Sequence, residues 1–469
     1  MRPDSEVPGT GRTPEKPLAL TGGPTTTVRS ALTTAVPAAA ERLRRIRPRR
    51  PNLPRGTRGR LLVYLSLLGP GIVTASAGND AGGIATYASA GADYGYGLIW
   101  AMVLLIPALA VVQEMCARMG AVTGKGLTDL IREEFSLRWT AFVMLTLLVA
   151  NGGIVVSEFA GIAAAFELFH VSKYISVPLM GFVVWYLIAK GSYRRVERVF
   201  LGMALLLFSY PIAAILARPD WGAVAHETVT PHLHFNGAYL FAVVTLIGTT
   251  ISPYMQMYVQ SAVAEKGVSP EDFAVTRADV YIGSVFANVV AILIIVATGA
   301  TLFVKGVTIE SAADAAQALK PVAGSFAGIL FGVGLLGASL LAAGVLPLAT
   351  AYGLSEAFGF EKGVNRGWQD APVFLGIFTG LISIGVLVTL IPGLPLVKVL
   401  IVTQLINALA LPFVLVSVLK LVNNRDLMGE HRNSRAYNII AWTTAVIVSI
   451  LSFTILINTL LGFFGLGLA

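Results

Sequence analysis

SAGNDAGGIATYASAG, residues 76–91, sets a carboxylate, Asp80, among Gly78, Gly82 and Gly83 inside a stretch otherwise apolar enough to cross a bilayer. An ionised aspartate at mid-membrane costs about 2.5 to 3.5 kcal/mol even on the lenient insertion scale, so it needs a partner or a water-filled pocket. Glycines beside it weaken the helix, and backbone freed at membrane depth must be buried in protein or line a cavity. The fold turns on whether this interruption stands alone.

It has a counterpart. Residues 248–257, GTTISPYMQM, place Gly248 and Pro253 near the middle of a later apolar segment. Either interruption alone reads as a kink or a close-packing site, since Gly and Pro are frequent in membrane helices. Corresponding broken helices in two halves of a chain are instead the signature of a binding site on an inverted repeat. The pairing, together with a central Asp, favours the second reading.

The rest of the chain supports a membrane fold. Of 469 residues, 55% are hydrophobic and only 13% charged. Apolar runs of about 20 residues, the length that crosses a bilayer, recur about eleven times from about residue 61 onward. The expected fold class is an all-α polytopic membrane protein with a 5+5 inverted repeat, broken in helices one and six. Residues 1–58 are expected to form a disordered basic cytoplasmic tail, 59–422 the ten-helix core, and 423–469 a cytoplasmic loop and eleventh helix. The first sixty residues are rich in Pro, Thr, Ala and Arg and lack the apolar run of a cleavable signal peptide. The single cysteine, Cys116, lies in an apolar run and has no partner for an intramolecular disulfide.

The net charge of +8 raises nucleic-acid binding, but its placement argues against it. Arginines crowd residues 42–60 without interleaved aromatics, and basic residues then recur in every second connection: Arg118, Lys190, Lys266, Arg277, Lys362, Arg366, Arg425 and Arg432 among them. The alternate connections hold few, such as Lys173, Arg218, Lys305 and Lys398. This positive-inside pattern puts the N-terminus in the cytoplasm of a cell whose plasma membrane the chain spans.

Around the two breaks the side-chain ligands are Asp80, Asn79, Thr249, Thr250, Ser252, Tyr254 and Gln256. Oxygen donors of this kind suit hard cations such as Mg, Ca and Mn. Thr250 reads as a helix back-bonder, and Met255 and Met257 as packing residues. The histidines fall in connections or tails, which argues against a zinc or copper site. No constellation of nucleophile, base and orienting group is visible, so an enzyme or a resident cofactor is not expected.

Six stretches, in order and spacing, resemble the Nramp divalent-metal transporters: GPGIVTASAGNDAGG (69–83), CARMGAVTGKGLTDLIREEF (116–135), SEFAGIAAAFELF (157–169), LIGTTISPYMQMYVQSAV (246–263), TQLINALALPF (403–413) and NNRDLMG (423–429). The resemblance implies the leucine-transporter type of fold, with a metal between the unwound parts of helices one and six. The family's Asp-Pro-Gly-Asn motif becomes Asp80, Ala81, Gly82 and Gly83 here, and its Met-Pro-His becomes Ser252, Pro253 and Tyr254. By the same correspondence Ala77 and Thr249 offer backbone carbonyls, and Gln404 matches a glutamine that reaches the metal.

The departures are chemically coherent. Losing the thioether hardens the site, and glycine in place of asparagine removes a ligand and opens space for an ion that keeps its water. Tyr254 for His, and Val155 for an Asp three residues before Glu158, weaken the proton path the family uses, although Glu158 remains. This pattern is similar to the Nramp-related magnesium transporters, where alanine rather than Ser252 would be expected. The resemblance implies a monomeric carrier of Mg²⁺ and Mn²⁺ embedded in lipid. A proton-coupled manganese or iron carrier, or a sodium-coupled amino-acid carrier on the same fold, are the alternatives; Asp80 would repel an amino-acid carboxylate.

Overall fold

The computed structural model describes residues 80–189, 209–234, 236–311, 314–316, 325–363 and 366–463. Among them are helices and short turns and no strand. The expected basic tail and Ala77 lie outside the described residues.

The first span enters as α1 (Ala81–Tyr94), and the next three spans are α2 (Ile99–Thr123), α4 (Leu137–Leu168) and α5 (Lys173–Ala189), with a short α3 (Leu127–Glu134) after α2. Of the fifth span only α6 (Ser209–Leu216) is described, followed by α7 (Trp221–Val229) in the connection. The sixth span is two helices, α8 (Gly237–Thr250) and α9 (Pro253–Lys266); then come α10 (Phe273–Thr301), α11 (Ser325–Phe358), α12 (Pro372–Thr389) and α13 (Leu396–Asn423). A single turn, α14 (Arg425–Met428), precedes α15 (Arg435–Phe463). Eight segments among the described residues are long and apolar enough to cross a membrane by length and composition. The 32 residues of α4 reach roughly 48 Å, well beyond a hydrocarbon core of about 30 Å. The sequence pattern did not foresee α3 and α7, both shorter than a span.

The helices pair across the two halves. α2 packs against α10, α4 against α11 and α5 against α12, each joining an element of one half to its counterpart five spans later. α13 lies against α1, α4, α8 and α15 and so touches both the start of α1 and the interrupted sixth span.

The connections sort into two ends. At one, Glu114 of α2 pairs with Arg118 at 3.1 Å and with Arg277 at 3.2 Å, while Arg118 donates to the His431 carbonyl at 2.7 Å and to Asn433 Oδ1 at 2.5 Å. Lys362 pairs with Asp129 at 2.7 Å and with Glu356 at 3.0 Å. The buried Glu356 carboxylate also accepts from Thr128 Oγ1 at 2.5 Å and Ser261 Oγ at 2.7 Å, which ties the end of α9 to α3 and α11. These are the connections the charge pattern groups together. The alternate set meets elsewhere: Lys173 donates to the carbonyls of Thr389 and Ile391, and a cavity of about 350 Å³ is lined by Tyr94, Tyr96, Glu227, His232, Tyr239 and Phe303.

Candidate metal-binding site

Asp80 is the N-cap of α1. Its backbone is extended (φ −68°, ψ 176°), and its Oδ1 accepts the Gly83 N–H at 2.5 Å, satisfying one of the donors every helix start leaves open. The positive end of the helix dipole favours a carboxylate there. Gln404 of α13 adds a donor: its Nε2 lies 3.0 Å from Asp80 Oδ1 and 3.2 Å from Oδ2. The wholly buried Asp80 is therefore hydrogen-bonded by protein donors, and no lysine or arginine is paired with it among the described residues.

A second carboxyl stands beside the first. Glu158 of α4, also wholly buried, accepts the Ala81 N–H on Oε2 at 3.1 Å, while its Oε1 has no hydrogen-bond partner. Close approach of α1 to α4 depends on Gly161, where an added Cβ would fall 2.2 Å from that of Ala81.

The second break falls at Ile251 and Ser252. Ser252 is the extended N-cap of α9 and Pro253 its first helical residue, a place where a missing N–H costs nothing. That missing N–H would otherwise bond the carbonyl of Thr249. Ser252 Oγ lies 3.1 Å from the Thr249 carbonyl and 3.0 Å from that of Gly248, so its hydroxyl proton serves this freed edge. The Thr249 carbonyl thus lies at the break, where it accepts from Ser252.

Two expectations are corrected. Gly248 is not a helix breaker: it lies inside α8, and a Cβ there would come within 2.6 Å of both the Gln404 carbonyl and Ala408 Cβ. Gly82 does the same for α1, where a Cβ would lie 2.3 Å from Gln404 Nε2 and 2.9 Å from the Leu400 carbonyl. Both glycines bring their helices against α13. Thr250, expected to bond its own helix, has its Oγ1 3.2 Å from Tyr87 Oη and so joins α8 to α1.

One residue that the sequence reading passed over completes the arrangement. Asn407, one turn beyond Gln404 on α13 and wholly buried, donates from Nδ2 to the Gly248 carbonyl at 2.9 Å and to Ser252 Oγ at 2.8 Å. Asp80, Gly83, Thr249, Ser252 and Gln404 are therefore linked through one face of α13. Three amide oxygens here, Gln404 Oε1, Asn407 Oδ1 and Gln256 Oε1, are buried without a partner. Buried polar atoms are seldom left so, and a cluster beside the start of α1 and the α8–α9 break marks a place for a polar ligand. Tyr254 and Val155 are both wholly buried, and Val155 lies where a Cβ on Gly385 would meet it at 2.9 Å, as a packed core residue does.

A buried carboxylate capping α1, a break between α8 and α9, and oxygen donors from both joined through α13, on an all-helical scaffold of apolar spans, define a membrane transporter rather than an enzyme. Residues 71–458 match the family model described as natural resistance-associated macrophage protein-like, and the chain belongs to this Nramp family. It is 29% identical over 411 residues to the divalent metal cation transporter MntH of Deinococcus radiodurans, covering 84% of this chain and 89% of that one. It is 26% identical over 432 residues to the MntH of Caldanaerobacter subterraneus subsp. tengcongensis, covering 88% and 97%. Among solved structures, the Eremococcus coleocola manganese transporter in complex with an aromatic bis-isothiourea substituted compound superposes with a TM-score of 0.69 at 21% identity over 88% of this chain and 90% of that one. MhsT in complex with L-phenylalanine gives 0.53 at 13% identity over 82% and 97%. These likenesses establish the leucine-transporter type of fold with its inverted repeat.

Proposed function

We propose that this protein carries divalent metal ions into the cell by alternating access, taking Mg²⁺ in partly hydrated form and accepting Mn²⁺ as well. The observation that carries the reading is the start of α1 joined through α13 to the break between α8 and α9, with the Asp80 carboxylate on one side, the Ser252 hydroxyl on the other and unpaired amide oxygens beside them. The names of the MntH relatives support the substrate class. The donors described at this site are all oxygens, which suits a hard cation. Mg²⁺ dehydrates reluctantly and keeps several waters; Gly83 leaves room for them, and unpaired carbonyl oxygens accept their hydrogens. Asp80 supplies the attraction, Ser252, Gln404 and the Thr249 carbonyl contribute direct or water-bridged contacts, and Ala77 is assigned a carbonyl by family correspondence alone.

Uptake follows the membrane potential, which favours entry of a doubly charged ion by about 4.6 kcal/mol per 100 mV. No proton partner is required, in keeping with Tyr254 and Val155 at the positions where the family has titratable groups. The end carrying Arg118, Arg277 and Lys362 faces the cytoplasm, the membrane is the bacterial plasma membrane, and the carrier works as a monomer with residues 1–58 as a basic cytoplasmic tail. A second reading, proton-coupled manganese uptake, draws on Glu158 beside Asp80.

Proteoliposomes holding a magnesium-sensitive dye and a lumenal pH probe separate the two. The proposal expects potential-driven Mg²⁺ entry without acidification. Acidification that tracks metal entry would establish the second reading.

A further inference from the structure

We infer that Asn407 is the positioning residue that presets Ser252 as an oxygen ligand and gives the site its preference for a hydrated, hard cation; this rests on the metal-site reading above. The direction of its amide is fixed by its neighbours. The Gly248 carbonyl can only accept, so the NH₂ group of Asn407, 2.9 Å away, must face it. The same nitrogen lies 2.8 Å from Ser252 Oγ, which must therefore accept. A hydroxyl has one O–H and two lone pairs. The O–H of Ser252 is directed to the carbonyls of Gly248 and Thr249, and one lone pair is taken by Asn407. A single lone pair remains, its direction fixed by the other two bonds.

Without Asn407 the hydroxyl would be a freer rotor on a broken helix. With it, the oxygen is prepared before an ion arrives, which lowers the ordering cost of binding. Gln404 behaves in parallel. Residues 404 and 407 are three apart and share a face of α13. Each gives its NH₂ to the cap of one helix, Gln404 to Asp80 of α1 and Asn407 to Ser252 of α9, and each keeps a buried, unpaired carbonyl oxygen. Water on a metal ion turns its hydrogens outward, so such oxygens suit an ion that arrives with its shell. Mg²⁺ holds its water more tightly than Mn²⁺ and depends more on these acceptors.

The experiment is uptake of Mg²⁺ and Mn²⁺, each alone, into proteoliposomes carrying wild type, Ser252→Ala, Asn407→Leu, Asn407→Ala, the Asn407→Leu/Ser252→Ala double variant and Asp80→Asn. Asn407→Leu keeps the volume of the side chain; Asn407→Ala stands in for it should the larger residue prevent folding. The expected result is a rise of about tenfold in the Mg²⁺ KM for either position, with the Mn²⁺ KM moving less than about threefold. The effects are not multiplicative: Ser252→Ala costs less than about twofold once Asn407 is gone. A merely structural role would lower both metals together. An equal cost of Ser252→Ala in both backgrounds, or an unchanged Mg²⁺-to-Mn²⁺ ratio in Ser252→Ala alone, would overturn the inference. Uptake that survives Asp80→Asn would instead remove the metal-site reading itself.

Discussion

Glu158 Oε2 and the backbone nitrogen of Ala81 stand 3.1 Å apart, with the Ala81 N–H donating to the carboxyl. A proline at that position, which the family motif carries, has no N–H to give. The change to alanine therefore does more than relax the backbone: it fastens a buried carboxyl of α4 to the first residue of α1.

Ala81→Pro is expected to cut this bond while leaving α1 intact, because proline suits a first helical turn. One buried carboxyl oxygen then loses its partner, at a cost of about 1 to 3 kcal/mol. The melting temperature of the purified protein should fall for Ala81→Pro and hold for Glu158→Gln, whose amide oxygen still accepts the N–H. A fall of equal size in both would contradict the assignment.

Ser252→Met restores the thioether of the parent motif. A softer ligand favours Mn²⁺ over Mg²⁺. Competition between the two ions for uptake should shift toward Mn²⁺ by about tenfold, and an unchanged ratio would mean that position 252 does not reach the ion.

Gly248→Ala tests the packing on α13. The new Cβ would meet the Gln404 carbonyl at 2.6 Å, and a backbone oxygen within a helix cannot swing aside. Overpacking of this kind costs about 1 to 3 kcal/mol. Thermal melting of the purified variant should show the loss, together with weaker uptake, since the Asn407 bond to the Gly248 carbonyl is displaced.

Lys362→Met removes the cation facing Glu356 and Asp129. Burial works against the charge of Lys362, but the two carboxylates outweigh it and hold its pKa above the ordinary 10.5. A raised lysine pKa gives stability that is complete below the unfolded value and fades only as pH climbs through the folded one. The wild-type contribution is thus fully present at pH 7. With Lys362 about a third exposed, screening reduces its worth, and a loss of about 1 to 2 kcal/mol is expected on melting at that pH.

Much of this site could be read before any coordinates. Asp80 and Pro253 announced the starts of α1 and α9 because a charge and a missing N–H carry their consequences locally. Gly82 and Gly248 were misjudged for the opposite reason: whether a glycine breaks a helix or admits a neighbour depends on what lies across from it, and here that is α13. Asn407 carried a signal, an amide three residues after Gln404 in an apolar helix, but its meaning required the carbonyl of Gly248, 159 positions away. The Ala81 link to Glu158 was hidden likewise, since a substitution shows the donor gained and not the acceptor that uses it. The eight long apolar spans among the described residues were legible from hydropathy, whereas α3 and α7 are too short to stand out.

The most direct test of the account is Mg²⁺ uptake by Asp80→Asn under an imposed, inside-negative potential. Asparagine caps a helix as well as aspartate and is nearly its shape, so the substitution removes the charge and little else. Saturable Mg²⁺ entry is expected to fall to the level of protein-free vesicles while the melting temperature stays near that of wild type. Entry with the wild-type rate and KM would contradict it.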